Sequence, residues 1–425
     1  MAAIAQAKTQ PITLSRQRLL GAFYTLVGLA MLYLFTGDTK PDQLATLGMN
    51  TIRSVQLVKL PDIIVPVQPV VWTLGALVVI LGLWQLARGF RRTGLLMGPV
   101  SFLFLVSFLV WAARGTSFSL IGILSASIQL ATPILLGALS GILCERAGVV
   151  NIAIEGIMLS AAFTSVLFAN VTGNIMIGLL AALGIGAILA AWHAVLSIQF
   201  KVNQIISGTV INIFATGFTN FLNQRIFYVT TDLNTQVTFP TMSQLVPDLG
   251  KIPILGPLLF DQGPIVWTSL ILLVVIQVAL FNTRWGLRTR AVGEHPRAAD
   301  TLGIDVFRTR YINVILGGIV AGLGGAYFTL GSVGRFDKLM TNGRGFIALA
   351  AMIFGNWMPT GAFASSLLFG FADALQVKLQ ILINQVNIPS EFLLMLPYIV
   401  TMVALAGVVG RVTPPAADGE AYEKQ

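Results

Sequence analysis

The stretch Cys144–Ser160, CERAGVVNIAIEGIMLS, sets Glu145, Arg146, Asn151 and Glu155 among strongly apolar neighbours. An ionised side chain at membrane depth costs about 2.5–3.5 kcal/mol on insertion scales, so it persists only where it faces protein, water or a partner. Glu145 and Arg146 fit a helix boundary at the membrane surface, where charge costs little. Asn151 and Glu155 are spaced i, i+4, so both project from one face of a helix. Two readings of that pair stand open: a hydrogen-bonded lock between helices, or the lining of a path for a polar solute. A second polar face occurs in 205–223, IISGTVINIFATGFTNFLN. There Thr209, Asn212, Thr216, Thr219, Asn220 and Asn223 fall on one side at helical spacing, with Phe214, Phe218 and Phe221 roughly opposite. Amides and hydroxyls donate and accept hydrogen bonds without charge, which suits an uncharged polar ligand. The plainer reading is a helix glued to its neighbours by Asn and Thr contacts. Asn151, Glu155, Asn212, Thr216 and Asn220 are the candidate path residues.

Helices must position these groups. Of 425 residues, 56% are hydrophobic and only 10% charged, with a mean hydropathy of +0.83, where a soluble domain carries about a quarter charged residues. Apolar runs of about 17–25 residues match the hydrocarbon core of a bilayer, so the expected fold is all-α, a polytopic transmembrane bundle of about 10–12 spans. The candidate spans are 19–36, 70–87, 95–111, 120–143, 150–169, 177–199, 205–223, 264–281, 312–332, 344–357, 361–378 and 391–410. The run 344–357 is short and bounded by Gly-rich and Pro-containing breaks, the signature of a re-entrant or broken helix. The stretches 151–165 and 345–365 read as a loose internal repeat, of the kind that places a transporter's site at interrupted helices.

The net charge of +9 does not point to nucleic acid, because the basic residues sit in short loops between apolar runs, as the positive-inside rule produces. That rule puts 88–92 and 284–310 in the cytoplasm, together with both termini and 144–149; it puts 37–69 and 224–263 outside. Lys8, Arg16 and Arg18 ahead of an apolar run predict an uncleaved signal-anchor. One cysteine, Cys144, and two distant histidines, His193 and His295, offer neither a disulfide nor a metal site. His193 reads as an interfacial or satisfied core histidine, and Asp373 as half of a local ion pair with Lys378. Gly318 and Gly322, and also Gly178, Gly184 and Gly186, are candidates for close helix approach. No GxxxxGK[ST] phosphate cradle is present, and no nucleophile set suggests an enzyme.

The loop 282–311, NTRWGLRTRAVGEHPRAADTLGIDVFRTRY, is too polar to cross a bilayer and predicts a short surface helix. Pro296 suits its first turn, Ala298, Ala299 and Leu302 give a small apolar face, and Gly303 is a stop. Such a helix on basic arms is either a docking element for a cytoplasmic partner or an ordinary basic loop that sets topology. The expected organisation is therefore 1–115 as N-terminal membrane helices and 116–410 as the working core carrying that loop. The tail 411–425, polar and Pro-containing, is expected to be disordered.

Three separated motifs, ERAGVVNIAIEGIML (145–159), GLRTRAVGEHPRAADTLGIDV (286–306) and GRGFIALAAMIFGNWMPTGAF (343–363), resemble the membrane permease subunits of bacterial ABC importers. The branch is the one that includes branched-chain amino acid, ribose and simple-sugar permeases, with the nucleoside or simple-sugar type nearest. The resemblance implies a plasma-membrane permease paired with a second, usually different, permease. It also implies two ABC ATPase subunits that bind ATP and Mg, and an extracytoplasmic substrate-binding lipoprotein; the chain itself would bind no cofactor. The family's coupling loop reads Glu-Ala-Ala, three residues, then Gly. Here Arg297 stands at the acidic position, and Gly293, Glu294, Pro296, Arg297, Ala298, Ala299 and Gly303 are the expected ATPase-coupling residues. An ion-gradient-driven secondary transporter is the alternative, and a membrane scaffold a third reading.

Overall fold

The computed structural model of the chain describes residues 12–37, 39–50, 59–88, 93–386, 395 and 412–424. Two units divide it. The first contains helices α1 (Ile12–Gly37), α2 (Val67–Arg88) and α3 (Thr93–Ala112), with strands β1 (Leu44–Gly48), β2 (Ile63–Pro66) and β3 (Ser117–Ser119). The strands, which hydropathy did not announce, form a small sheet in the order β2-β1-β3, with β1 antiparallel to β2 and parallel to β3. Small residues let α1 and α2 pack backbone to backbone: a Cβ at Gly82 would fall 2.4 Å from the Thr25 nitrogen. Phe35 stacks on Trp111 at 5.1 Å between ring centroids.

The second unit runs from Ile123 to Val377 and takes in residues 412–424. Its helices are α4 (Leu120–Glu145, entering the unit at Ile123), α5 (Ile154–Thr172), α6 (Ile175–Ala194) and α7 (Gln204–Leu222). Two single turns follow, α8 (Met242–Leu245) and α9 (Pro247–Gly250), then α10 (Pro264–Asn282), α11 (Arg284–Glu294), α12 (Pro296–Thr301), α13 (Val306–Phe328), α14 (Arg344–Phe354) and α15 (Pro359–Val386, leaving the unit after Val377). Helix starts fall where the sequence supplies a capping side chain. Asn174 accepts from Met176 N–H at α6, Asn203 from Ile205 and Ile206 at α7, Thr283 from Gly286 at α11, and Asp305 from Arg308 at α13.

Among the described residues nine helices are long and apolar enough to cross a membrane, and 96–112 and 344–354 form shorter apolar helices. The expected span 391–410 lies outside the described residues except for Met395. The chain is a helical, polytopic membrane protein, as its composition predicts. The best-buried span contains α13, with 78% of its apolar window inside. Lipid is as apolar as leucine, so helices here associate by close packing rather than by leaving water. Gly186, Gly318 and Gly322 provide it: a Cβ at Gly186 would stand 2.3 Å from the Gly318 carbonyl oxygen, and one at Gly322 2.5 Å from that of Ala182. Gly178 does the same against Ser165 of α5, whereas Gly184 faces open space. A buried Ser165–Thr329 hydroxyl pair at 2.7 Å adds a polar contact to this core.

Candidate functional site

Residues 145–156, joining α4 to α5, form an elbow in which nearly every polar group has a partner on another element. Asn151 is fully buried; its Oδ1 accepts from Ala153 N–H at 3.1 Å and its Nδ2 lies 3.5 Å from Cys144 Sγ. Asn212 of α7 donates to the Ile152 carbonyl and accepts from Gly156 N–H, both at 2.8 Å, so one amide pins α7 to the start of α5. Val150 N–H donates to Gln204 Oε1 at 2.6 Å. The Val150 carbonyl accepts from His193 Nε2 at 2.9 Å, which fixes the proton there and leaves Nδ1 to accept from Ser207 Oγ at 3.0 Å. His193 is the satisfied core histidine its sequence setting suggests.

Glu155 reaches the other way. Its carboxylate accepts from Thr341 Oγ1 at 2.6 Å, Gly343 N–H at 2.9 Å and Gly345 N–H at 2.6 Å, which caps the N-terminus of α14 from a neighbouring helix. A carboxylate at that position also meets the positive end of the helix dipole. Gly345 is required for the approach, because a Cβ there would sit 2.6 Å from Glu155 Cα. The other end of α14 is held by the first half of the elbow. Glu145 is buried and accepts from Trp357 Nε1 at 2.5 Å, while Arg146 donates to the carbonyls of Trp357 and Asn356 at 3.0 and 3.3 Å. Asn356 and Trp357 have φ of 54° and 52°, a left-handed turn that costs non-glycine residues energy and needs such bracing. So α14, with only 11 residues, is the broken helix its flanking sequence predicts. Glu145 does not lie at an exposed, inexpensive boundary as its position in the sequence suggested. The cation beside Asp373 is Arg344, at 3.6 Å, rather than Lys378.

The stripe on α7 divides. Asn212 and Thr219 turn into the protein and Asn220 is half-buried, whereas Thr209 and Thr216 are exposed beside outward Ile213, Phe214, Phe218 and Phe221. Asn151, Glu155 and Asn212 are thus brought together in one lattice, with Thr216 and Asn220 further along α7.

At the end of the unit that carries the elbow, α11 and α12 meet at Glu294–Pro296. Gly293 is buried, and a Cβ on it would strike the Arg146 carbonyl oxygen at 2.3 Å. Pro296 opens α12, and Gly303, at φ 79°, follows its end. The small apolar face splits: Ala299 is buried, while Arg297, Ala298 and Gly303 are exposed and Leu302 is 82% exposed. The tail expected to be disordered is instead seated here. Ala417 N–H donates to the Gly293 carbonyl at 2.9 Å, Ala416 N–H to Glu294 Oε2 at 3.1 Å, and Thr413 N–H to Asn356 Oδ1 at 3.0 Å. Arg310, only 1% exposed, donates to the carbonyls of Ala147 and Glu420 at 3.2 and 2.8 Å. Asp418 faces Glu145, and burial pushes its carboxyl up to about 6. Sequence reasoning missed Trp357, Thr341, Arg310 and the tail. The signals were faint: a Trp inside the break before Pro359, and an Arg just ahead of the run assigned as a span.

The family profile described as "branched-chain amino acid transport system / permease component" matches residues 123–405. The guanosine ABC transporter permease protein NupQ of Bacillus subtilis is 41% identical, over 71% of this chain and 96% of the relative. The nucleoside ABC transporter permease protein NupC of Lactococcus lactis subsp. cremoris is 40% identical, over 69% and 94%. A putative glucose ABC transporter permease protein of Haloferax volcanii, TsgC13, is 38% identical over 61% and 78%. No solved structure matches the chain.

Proposed function

The chain belongs to the branched-chain amino acid transport system / permease component family, and on that premise we propose that it is the permease subunit through which an ABC importer passes a nucleoside, with a simple sugar as the second substrate class. It is a multi-pass membrane transport protein of the ABC permease type rather than an enzyme. One observation carries the reading. The family match spans the elbow, the α11–α12 pair and α14 in a single run, and relatives named for guanosine and nucleosides align over nearly their whole length.

In this reading two ABC ATPase subunits hold ATP and Mg, and one of them seats on the exposed side of α12 at Arg297 and Ala298 and on Leu302 just past its end. A second permease, a different chain, completes the membrane pair, and an extracytoplasmic lipoprotein delivers solute. Both termini are cytoplasmic in this reading; for the C-terminal one, support comes from the tail, the elbow and the basic α11–α12 segment sharing one end of their unit. ATP-driven closure of the ATPases moves α11–α12. The contact of Gly293 with Arg146 passes that movement to the elbow, and through Glu155 and Asn212 to α14 and α7. Asn151, Glu155 and Asn212 form the braced base of the path, and Thr216 and Asn220 its α7 wall. An ion-gradient mechanism needs free membrane acids, yet Glu155 is committed to three donors and Asp373 to Arg344.

The test is purification of the tagged chain from its native membrane, followed by reconstitution of the whole complex. Labelled guanosine or ribose uptake should require ATP and survive ionophores. Uptake by a preparation with no nucleotide-hydrolysing subunit would overturn the reading.

A further inference from the structure

The tail touches several elements at the end of the unit that carries the elbow. Its backbone bonds to Gly293 and Glu294 of α11, to Asn356 of the turn after α14, and to Arg310 of α13. Its side chains continue the set: the Tyr422 ring lies tilted against Phe307, 5.4 Å between centroids, and beside Asp300 of α12, and Glu423 pairs with Lys201, ahead of α7, at 2.6 Å. Three backbones converge at one point. A Cβ on Gly148 of the elbow would lie 2.9 Å from Arg310 Nη2, 3.0 Å from the Ala417 oxygen and 3.5 Å from Gly293 Cα. Arg310 explains why the tail settles despite its polar composition. A buried guanidinium without acceptors is costly, and the tail supplies the Glu420 carbonyl, with the Glu420 carboxylate close by.

We propose that residues 412–424 form a strap that ties α11–α12 to the α4–α5 elbow, so that movement of α12 reaches the elbow as one body instead of being lost in local bending. The strap rests on the permease reading but goes beyond it, because it assigns a transmission role to a segment outside the family match, which ends at residue 405. An open cleft of about 620 Å³ separates Pro296, Arg297 and Ala298 from Ala417, Glu420 and Glu423. A partner seated on α12 therefore meets the strap as well.

The experiment compares the reconstituted importer carrying the full chain with one whose permease ends at residue 411, and with Tyr422→Ala and Tyr422→Phe. Solute moved per ATP hydrolysed is measured beside ATPase retention and the unfolding temperature. With ATPase retained, transport per ATP should fall about fivefold or more, the low end of typical coupling free energies, in the truncation and in Tyr422→Ala. Tyr422→Phe, which keeps the ring against Phe307, should restore most of it. An unchanged ratio in both defective variants overturns the strap. Should the truncated chain fail to assemble, Tyr422→Ala decides alone. Absence of any ATPase on the full-length chain would sink the permease reading instead, so the two failures are distinct.

Discussion

The Glu155 carboxylate and the Gly345 N–H meet at 2.6 Å across 190 residues of chain, and that bond sets where the broken helix α14 begins. With Glu145 and Arg146 gripping the turn at its other end, one elbow determines the position of a helix too short to hold itself. Isolated helices of that length are marginal even with favourable sequences.

Glu155→Ala leaves two N–H groups and a hydroxyl without an acceptor, at a cost of about 1–3 kcal/mol for each that stays buried. The purified complex should unfold at a lower temperature and import less solute. Wild-type unfolding behaviour would show that something else holds α14.

Asn212→Ala and Thr216→Val separate bracing from lining. The first orphans Gly156 N–H and the Ile152 carbonyl, so it should lower stability by about 1–3 kcal/mol along with uptake. The second alters an exposed hydroxyl and should leave unfolding unchanged while reducing uptake. Uptake at the wild-type level in Thr216→Val would remove that residue from the path.

Gly186→Ala and Gly184→Ala sit two positions apart on α6 and should behave oppositely. The first drives a methyl to 2.3 Å from the Gly318 carbonyl, an overpacking worth about 1–3 kcal/mol. The second meets nothing within 4 Å and gains up to about 1 kcal/mol of helix propensity. Thermal unfolding of the two variants in the same detergent checks the sign of each.

Seating of the tail should weaken as pH rises. Burial raises Asp418 to about 6 from an ordinary 3.8, against the opposing pull of its Glu145 hydrogen bond, Gly419 N–H and the Arg310 charge; Glu420 is the other nearby tail acid. A raised carboxyl binds its proton more tightly in the seated form, so the contribution is full below about 4 and is lost as pH climbs through 6. Hydrogen exchange at Ala416 and Ala417 should be slower at pH 5 than at pH 7.5 after correction for intrinsic rates. Asp418→Asn should flatten that difference.

Leu302→Asp places a charge on the exposed leucine just past the end of α12. Burying a leucine is worth about 1.5–3 kcal/mol, so ATPase co-purification should drop steeply while the permease alone unfolds as before. Unchanged co-purification would move the docking surface elsewhere.

The amino-acid sequence by itself determined the class of protein and most of its helices, since apolar length and caps act within a few residues. It also singled out α12 through Pro296 and Gly303, and α14 as a broken run, because proline, glycine and shortness are local facts. Only the tertiary structure decided what the polar groups do. Asn151 and Glu155, expected on one helix face, do not share one, because α5 begins at Ile154; Asn151 turns to Cys144 ahead of it and Glu155 to α14; Asn212 braces α5; Asp373 takes Arg344. The tail read as disordered because its composition cannot build a core, yet a buried arginine 110 positions away gives it a seat. A polar side chain in an apolar surrounding must find a partner, and the sequence states that need; which partner it finds depends on packing between distant segments, and no local pattern carries it.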